Sequence, residues 1–408
     1  MVIALPLVSI QPAMLFSSGT GKSSSSLRLM LVEAAKRLKE SIRDGDTVGR
    51  LGGDEFIVLL GGLKQAKDAT PVVRNLVERF RRPFVVGKRE FLLTTSVGIS
   101  IYPQDGELAS ELLRNADSAM YHSKKLGRNT FSYFTDSMNK GVARRLVLEE
   151  KLHGALERNE FHVVYQPKVA VNSREMIGVE ALLRWNNTEL GEVSPEEFIP
   201  LAEQTGMIVP IGQFVLDDAL GRAADWAQLT DRPFSIAINL SPRQFREPQL
   251  LQQLQASLNT FDVDPGIIEL EITEGVLMSG LPLIENAVQA ISDLGATIAM
   301  DDFGTGYSSL SYLRSYPFNV LKIDRSFIND ITVDVTDREL VNAAIAMAHG
   351  LGLKVVAEGV ETEEQLQMLL EQRCDFAQGY LFSKPARAEQ ISAMLEQTNT
   401  ERPETVEG

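Results

Sequence analysis

IAMDDFGTGYSSL, residues 298–310, is the stretch from which the rest of this chain can be read. An apolar run of strand character ends on two adjacent carboxylates, Asp301 and Asp302. Gly304, Gly306 and the hydroxyl-bearing Thr305, Ser308 and Ser309 follow at once. Side chains alternate across a strand, but where a strand gives way to a loop two neighbours can turn toward one point. Adjacent carboxylates repel, and keeping both ionised in a partly dry pocket is costly without a cation between them. The pair reads as a divalent-metal site beneath a loop, although an isolated Asp-Asp pair is more often a solvated turn. The surrounding sequence decides between the two.

Seven further strand-like runs accompany this one from residue 161 onward. They are HVVYQPKV (162–169), IGVEALLRW (177–185), FSIAINLS (234–241), IIELEITE (267–274), VLKID (320–324), KVVAEGV (354–360) and FAQGYLF (376–382). Helical stretches such as 195–204, 283–294 and 338–351 separate most of them. Repeated strand–helix units over about 250 residues predict an α/β fold, a TIM-type (β/α)8 barrel with its chemistry at the C-terminal strand ends. Each run is largely apolar yet carries a polar residue at its end or middle. These are Gln166, Glu180, Asn239, Glu271, Asp301 with Asp302, Lys322, Glu358 and Gln378. One such residue alone is ordinarily a satisfied structural group. When every run does it, a barrel gathers them into one pocket, where the carboxylates repel unless cations bind. The donors are hard oxygens with no His or Cys, which favours two Mg2+ or Mn2+ ions over zinc. Lys322 adds a cation that could orient water or stabilise phosphate; its plainer role is an ion pair with a neighbouring carboxylate.

These residues resemble the EAL family of cyclic di-GMP phosphodiesterases, named for the Glu-Ala-Leu motif found here at 180–182. The similarity runs over 148–395 and includes YQP (165–167), NLS (239–241), ELEITE (269–274), DDFGTGYSSL (301–310), LKID (321–324), AEGVE (357–361) and QGYLFSKP (378–385). It implies Glu180, Asn239, Glu271 and Asp301 as metal ligands, with Asp302 serving the second ion. It implies that Glu180, Asp302, Lys322 and Glu358 carry the catalysis, the last two by holding water. Gln166 and Arg184 would contact substrate, Gln378 would line the site, and Glu274 would anchor the loop after Asp302. The implied activity is hydrolysis of cyclic di-GMP to linear pGpG, in a homodimer paired through the EAL domain. A receptor that holds cyclic di-GMP without cleaving it is the alternative; it gains weight where a metal ligand is lost, and every such position is filled here. Asn187-Thr188 stands where the family often shows His-Pro.

The first 134 residues differ in character. Residues 1–26 read as a flexible segment, because Pro6 and Pro12 interrupt an apolar start with no leading basic residue. Neither a signal peptide nor a membrane span is expected there. GTGKS at 19–23 resembles the end of a phosphate-binding loop, but Phe16 stands at its first glycine. A helix over 27–41, a hairpin over 47–60, a helix near 70–82, a strand over 91–101 and a helix near 108–125 predict a small α+β domain. RLGGDEF (50–56), SVGISIYPQDG (96–106) and NADSAMYHSKKLGRN (115–129) resemble the GGDEF family of diguanylate cyclases. That resemblance implies GTP near Gly52 and Gly53, with Asp54 and Glu55 in the acidic part of the motif. It also implies phosphate contacts from Lys124 and Arg128, and an inhibitory product site at Arg43 and Asp46. The family's Asp-bearing first strand and Asn-Asp pair have no counterpart, so a partial GGDEF-like domain over 27–134 is expected, and cyclase activity is the weakest reading. Leu148, Leu152 and Leu156 predict an amphipathic linker helix over 135–159, before a barrel at 160–396 and a tail at 397–408.

Composition sets the outer limits. Of 408 residues, 44% are hydrophobic and 23% charged, ordinary values for a soluble globular protein. A net charge of −15 argues against DNA binding but not against a phosphate ligand held through metal ions. The single cysteine, Cys374, rules out an internal disulfide and suits a reducing cytoplasm.

Overall fold

The computed structural model describes residues 2–12, 23–86, 89–91, 93–230, 234–273, 276, 282–304 and 310–400, in two compact units, 1–147 and 148–408. In the first unit, β1 (Val2–Pro12), β2 (Thr47–Gly52) and β3 (Glu55–Leu63) join β6 (Leu93–Tyr102) and β7 (Thr130–Tyr133) in one sheet. Its order is β2-β3-β1-β6-β7, while β4 (Phe84–Val86) pairs with β5 (Arg89–Phe91). The expected flexible start over 1–26 is corrected: β1 lies at the centre of the sheet, antiparallel to both β3 and β6. Its run VIALPLVSI favours a strand; Pro6 forgoes a ladder donor without ending it, and Pro12 is its last residue. A first strand is therefore present, but Val2–Pro12 contains no Asp or Glu. Residues 13–22, with most of the GTGKS segment, lie outside the described residues.

Helices Ser23–Glu40 and Ala69–Phe80 bury Leu38, Leu76 and Phe80 with Phe56 of β3 and Ile99 of β6. Helix Ala109–Lys125 approaches β6 at Gly98, where a Cβ would meet the Ala116 carbonyl oxygen at 1.9 Å. The predicted continuous helix over 135–159 is also corrected. The helix is Asp136–Leu152, and turns through Gly154 (φ 75°) and Asn159 (φ 54°) follow it. Leu148, Leu152 and Ala155 are buried with Phe161, Trp185 and Phe198, so this apolar face belongs to the second unit.

That unit is the predicted barrel. It comprises β8 (Phe161–Ala170), β9 (Met176–Asn187), β11 (Ser235–Asn239), β12 (Ile268–Thr273), β13 (Thr297–Phe303), β14 (Val320–Ile323), β15 (Lys354–Ala357) and β16 (Phe376–Gln378). The ring closes because β8 pairs with both β9 and β16, and β10 (Gly191–Val193) hangs on β9 outside it. Neighbours from β9 round to β16 are parallel, whereas β8 runs antiparallel to both of its partners. Residues 171–175 are too few for the crossover that a parallel pair requires, so β8 and β9 form a hairpin.

Period-two alternation then sorts the side chains. Ile268, Leu270 and Ile272 of β12 pack outward with Val288 and Ile291 of helix Pro282–Asp293, leaving Glu269 and Glu271 to the interior. Inside the barrel, Ala299, Val320 and Val356 cluster with Phe376. Each lies two residues before Asp301, Lys322, Glu358 or Gln378. The polar set therefore sits one pleat above an apolar plug, at the C-terminal strand ends.

Candidate active site

Lys322 is the hub of the polar set. Its side chain is 1% exposed, and Nζ lies 2.6 Å from Glu271 Oε2, 2.7 Å from Glu358 Oε1, 3.4 Å from Asp301 Oδ1 and 3.7 Å from Glu180 Oε2. Asn239 Nδ2 donates to Glu180 Oε1 at 2.7 Å, and Gln378 Nε2 to Glu180 Oε2 at 2.7 Å and Gln166 Oε1 at 3.1 Å. Gln166 in turn donates to the Ser383 carbonyl at 3.1 Å. Register explains the convergence: Gln166 stands opposite Glu180 across β8 and β9, and Asn239 opposite Glu271 across β11 and β12. Although β8 is reversed, its inward residue Gln166 meets the others at the same mouth.

Asp302 leaves the strand alternation by adopting a left-handed backbone, φ 56°, and its amide donates to Asp301 Oδ1 at 2.9 Å. Gln166, Glu180, Asp301, Glu358 and Gln378 line a cavity of about 430 Å³. Gly379 lets its walls close: a Cβ there would meet the Val360 carbonyl oxygen at 2.0 Å. The loops carrying Glu358 and Gln378 therefore touch backbone to backbone. Arg184 is half-buried, and its Nη1 donates to the Leu183 carbonyl at 2.8 Å rather than into the carboxylate cluster. Glu274 and residues 305–309 lie outside the described residues.

In the first unit, Gly52, Gly53, Asp54 and Glu55 make the β2–β3 turn, with Gly53 at φ 51° and Arg50 donating to its carbonyl at 2.6 and 3.1 Å. Lys124 is in the last turn of Ala109–Lys125, and Arg128 follows at φ 62°. Arg43 Nε lies 3.4 Å from Asp46 Oδ1, which also accepts the Gly61 amide at 3.1 Å. Arg43 donates to the Gly61 carbonyl as well, so the pair ties this loop to β3.

Comparison with known proteins places this geometry. The EAL domain family matches residues 149–385. The chain belongs to the EAL family. Residues 29–130 match the family described as diguanylate cyclase, GGDEF domain. The bifunctional diguanylate cyclase/cyclic di-GMP phosphodiesterase MucR of Pseudomonas aeruginosa is 42% identical over 90% of this chain and 53% of its own length. The cyclic di-GMP phosphodiesterase PdeR of Escherichia coli is 35% identical over 88% and 54%. The chain thus spans about half the length of these relatives. The solved PaMucR phosphodiesterase in complex with c-di-GMP is 43% identical, with a TM-score of 0.58 over 60% of this chain and 99% of that one.

Charge in the EAL pocket is unbalanced, because four carboxylates surround one ammonium. Burial works to neutralise Lys322, but Asp301, Glu180, Glu271 and Glu358 outweigh it and hold the ammonium well above its ordinary range. Burial holds the Glu271 carboxyl well above the usual carboxylate range, with the charge of Glu180 adding to the effect. Burial likewise pushes Glu358 up to about 8 against the pull of Lys322, and it raises Asp302 together with the charge of Asp301. Glu180 is the exception. Burial acts upward on it too, yet Lys322 and the amides of Gln378 and Asn239 prevail, and it lies below its ordinary value.

Three observations test the fit of a divalent cation. The carboxylates close on Nζ, so among the described residues no three His, Cys, Asp or Glu groups form a ready-made cage. The donor set is nonetheless all hard oxygen and carries excess negative charge, as Mg2+ or Mn2+ requires. Glu271 Oε2 is fully buried and, despite its 2.6 Å approach to Nζ, receives no hydrogen bond of acceptable geometry. Such an oxygen is suited to a cation. The residues fit the group.

The cavity also exposes residues that the strand-by-strand reading passed over: Arg325, Asn329, Glu361 and Tyr380. They follow the runs LKID, VVA and FAQ by one to five positions. Their place just past a strand end was the available signal.

Proposed function

We propose that this chain is a divalent-metal phosphodiesterase that hydrolyses cyclic di-GMP to linear pGpG. The observation that carries the reading is the Lys322 hub, a buried ammonium ringed by Glu180, Glu271, Asp301 and Glu358 at the open end of the barrel. Such a constellation is dear to maintain for stability alone. Glu180, Asn239, Glu271, Asp301 and Asp302 would hold the cations, two per site. Bound there, Mg2+ or Mn2+ supplies charge neutralisation at the phosphodiester and a means of ionising water at neutral pH. Lys322 holds fixed positive charge on the carboxylates facing the reacting phosphate and can orient water against it. Glu358, raised toward neutrality, is placed to take a proton from water or return one to the leaving 3′-oxygen. Gln166 and Gln378 keep the Glu180 carboxylate in one orientation, and Arg184 at the mouth is assigned to substrate phosphate. The names of MucR and PdeR and the c-di-GMP complex of the MucR phosphodiesterase support this substrate.

The GGDEF-like unit is assigned a regulatory role with GTP as its candidate ligand, since β1 brings no carboxylate to the Asp54–Glu55 turn. A homodimer through the EAL domain, coupled to the site by Glu274, and a cytoplasmic location belong to the same reading. No helix among the described residues is long and apolar enough to cross a membrane. The test is a time course of the purified chain with cyclic di-GMP and Mg2+ or Mn2+, followed by chromatography, with a parallel incubation in GTP. Appearance of pGpG is the expected result. Binding without turnover would establish the receptor reading instead, and cyclic di-GMP made from GTP would overturn the silent first unit.

A further inference from the structure

One buried charged pair in the barrel has no part in the chemistry above. Lys168 Nζ donates to both Glu269 oxygens at 2.9 Å, and each side chain is 4% exposed. The two strands involved, β8 and β12, share no backbone ladder; β9 and β11 lie between them on the shorter way round the ring. The pair thus reaches across the interior.

Its level follows from the alternation. Glu269 is two residues before Glu271 on forward-running β12, and Lys168 two residues after Gln166 on reversed β8, so both sit one pleat below the polar set. The rest of that level is the plug of Ala299, Val320, Val356 and Phe376. The intervening strands contribute only Gly178 and Ala237 there, opposite Lys168 and beside Glu269 respectively. A Cβ at Gly178 would meet the Ser235 carbonyl oxygen at 2.4 Å. Half of the layer is filled by hydrocarbon, and the other half is left open by small residues and spanned by the ion pair.

Apolar layers are the usual filling of such barrels, and replacing a buried ion pair with hydrocarbon is often neutral or stabilising. Stability therefore does not account for this arrangement. We propose that Lys168 and Glu269 are positioning residues, a cross-barrel brace that fixes Glu271 on β12 relative to the Gln166–Gln378–Glu180 network on the far wall, and so sets the spacing of the metal-holding oxygens. The inference rests on the metal-site reading above. Groups that orient metal ligands without touching the metal commonly change its affinity 10- to 100-fold when removed.

The experiment compares the full chain with the double variant Lys168→Met/Glu269→Met and with Glu269→Gln. The readouts are Mn2+ binding by calorimetry, thermal melting in EDTA, and kcat and KM for cyclic di-GMP at saturating Mn2+. The double variant should melt at or above the parent temperature while its Kd for Mn2+ rises about tenfold; kcat should fall with KM unchanged. Glu269→Gln keeps the shape but loses the charge and the two-oxygen grip, and its Kd should rise in the same way; it decides the matter should the double variant not fold. Parental Mn2+ affinity in a folded variant would overturn the brace, whereas a parent chain that binds no Mn2+ would overturn the metal-site reading itself.

Discussion

Glu358→Gln should stabilise the metal-free protein at alkaline pH, and the gain should disappear in acid. Glu358 Oε1 lies 2.7 Å from Lys322, and burial still pushes its carboxyl from 4.5 to about 8. Between those values the folded chain keeps a proton that the unfolded chain has lost. Stability from this group is therefore fully present below about pH 4.5 and is lost as pH rises through about 8. At about 1.4 kcal/mol per unit the whole shift is worth about 5 kcal/mol. The side chain lies deep in the cleft yet remains 20% exposed, and screening at that exposure reduces the figure to roughly 2–3 kcal/mol. For a unit of this size each kcal/mol moves the melt by about 2–4 °C. Variant and parent should then differ by about 5–10 °C in EDTA at pH 8 and converge near pH 5. Saturating Mn2+ should reverse the order, since only the carboxylate gains from a nearby cation. Calorimetric melts of both proteins across pH 5–9, with and without Mn2+, are the assay. Superimposable melts in EDTA at pH 8 would refute the reasoning.

Asp302→Asn should leave the EDTA melt equal or slightly higher, because it relieves repulsion with Asp301, while hydrolysis falls by orders of magnitude; near-parental rates in saturating Mg2+ would show the pair to be only a loop feature. Glu160 accepts hydrogen bonds from Arg158 at 2.8 Å and from Trp185 and Asn187 at 3.0 Å, which holds its carboxyl down to about 2. Its stabilisation is present above pH 4.5 and lost as pH falls through about 2. The carboxylate is covered but lies close to the surface, so Glu160→Gln should cost about 1–2 kcal/mol at neutral pH and flatten the acid limb of the melt; unchanged acid limbs would refute this. Gly379→Ala, driven into the Val360 carbonyl, should destabilise by about 1–3 kcal/mol and lower kcat by spreading Glu358 from Gln378. A fully active Ala variant would show that the loops yield freely.

Parallel strands carry strong sequence signals because both faces are covered, and the barrel was legible for that reason. Its polar interruptions stood out against Val and Ile, which is how Lys322 and its carboxylates could be found before any geometry. The reversal of β8 was not legible from its apolar pattern, which is the same in either direction; only the short link 171–175 betrays it. The strand Val2–Pro12 was hidden by Pro6 and Pro12, residues that argue against strands unless the surrounding ladder tolerates a missing donor. Lys168 was in view within YQPKV but carried no signal of its own, since its partner is 101 residues away and one layer below the mouth. Arg325 opens the short helix Arg325–Asn329 and Tyr380 lies in a turn, so periodicity says nothing of either, and only their place just past a strand end pointed to the lining.

The Lys322 ammonium has a consequence for the life of the protein in a cell. Structural zinc domains unfold when their ion is withdrawn, so metal scarcity also empties the cell of the protein. Here a covalently attached cation stands among the carboxylates and travels with the chain from synthesis. The barrel can therefore be made, folded and kept out of the reach of proteases before any ion arrives. On the proposed reading, starvation for divalent metal should silence hydrolysis without depleting the protein, and resupply should restore activity on the timescale of ion binding rather than of new translation.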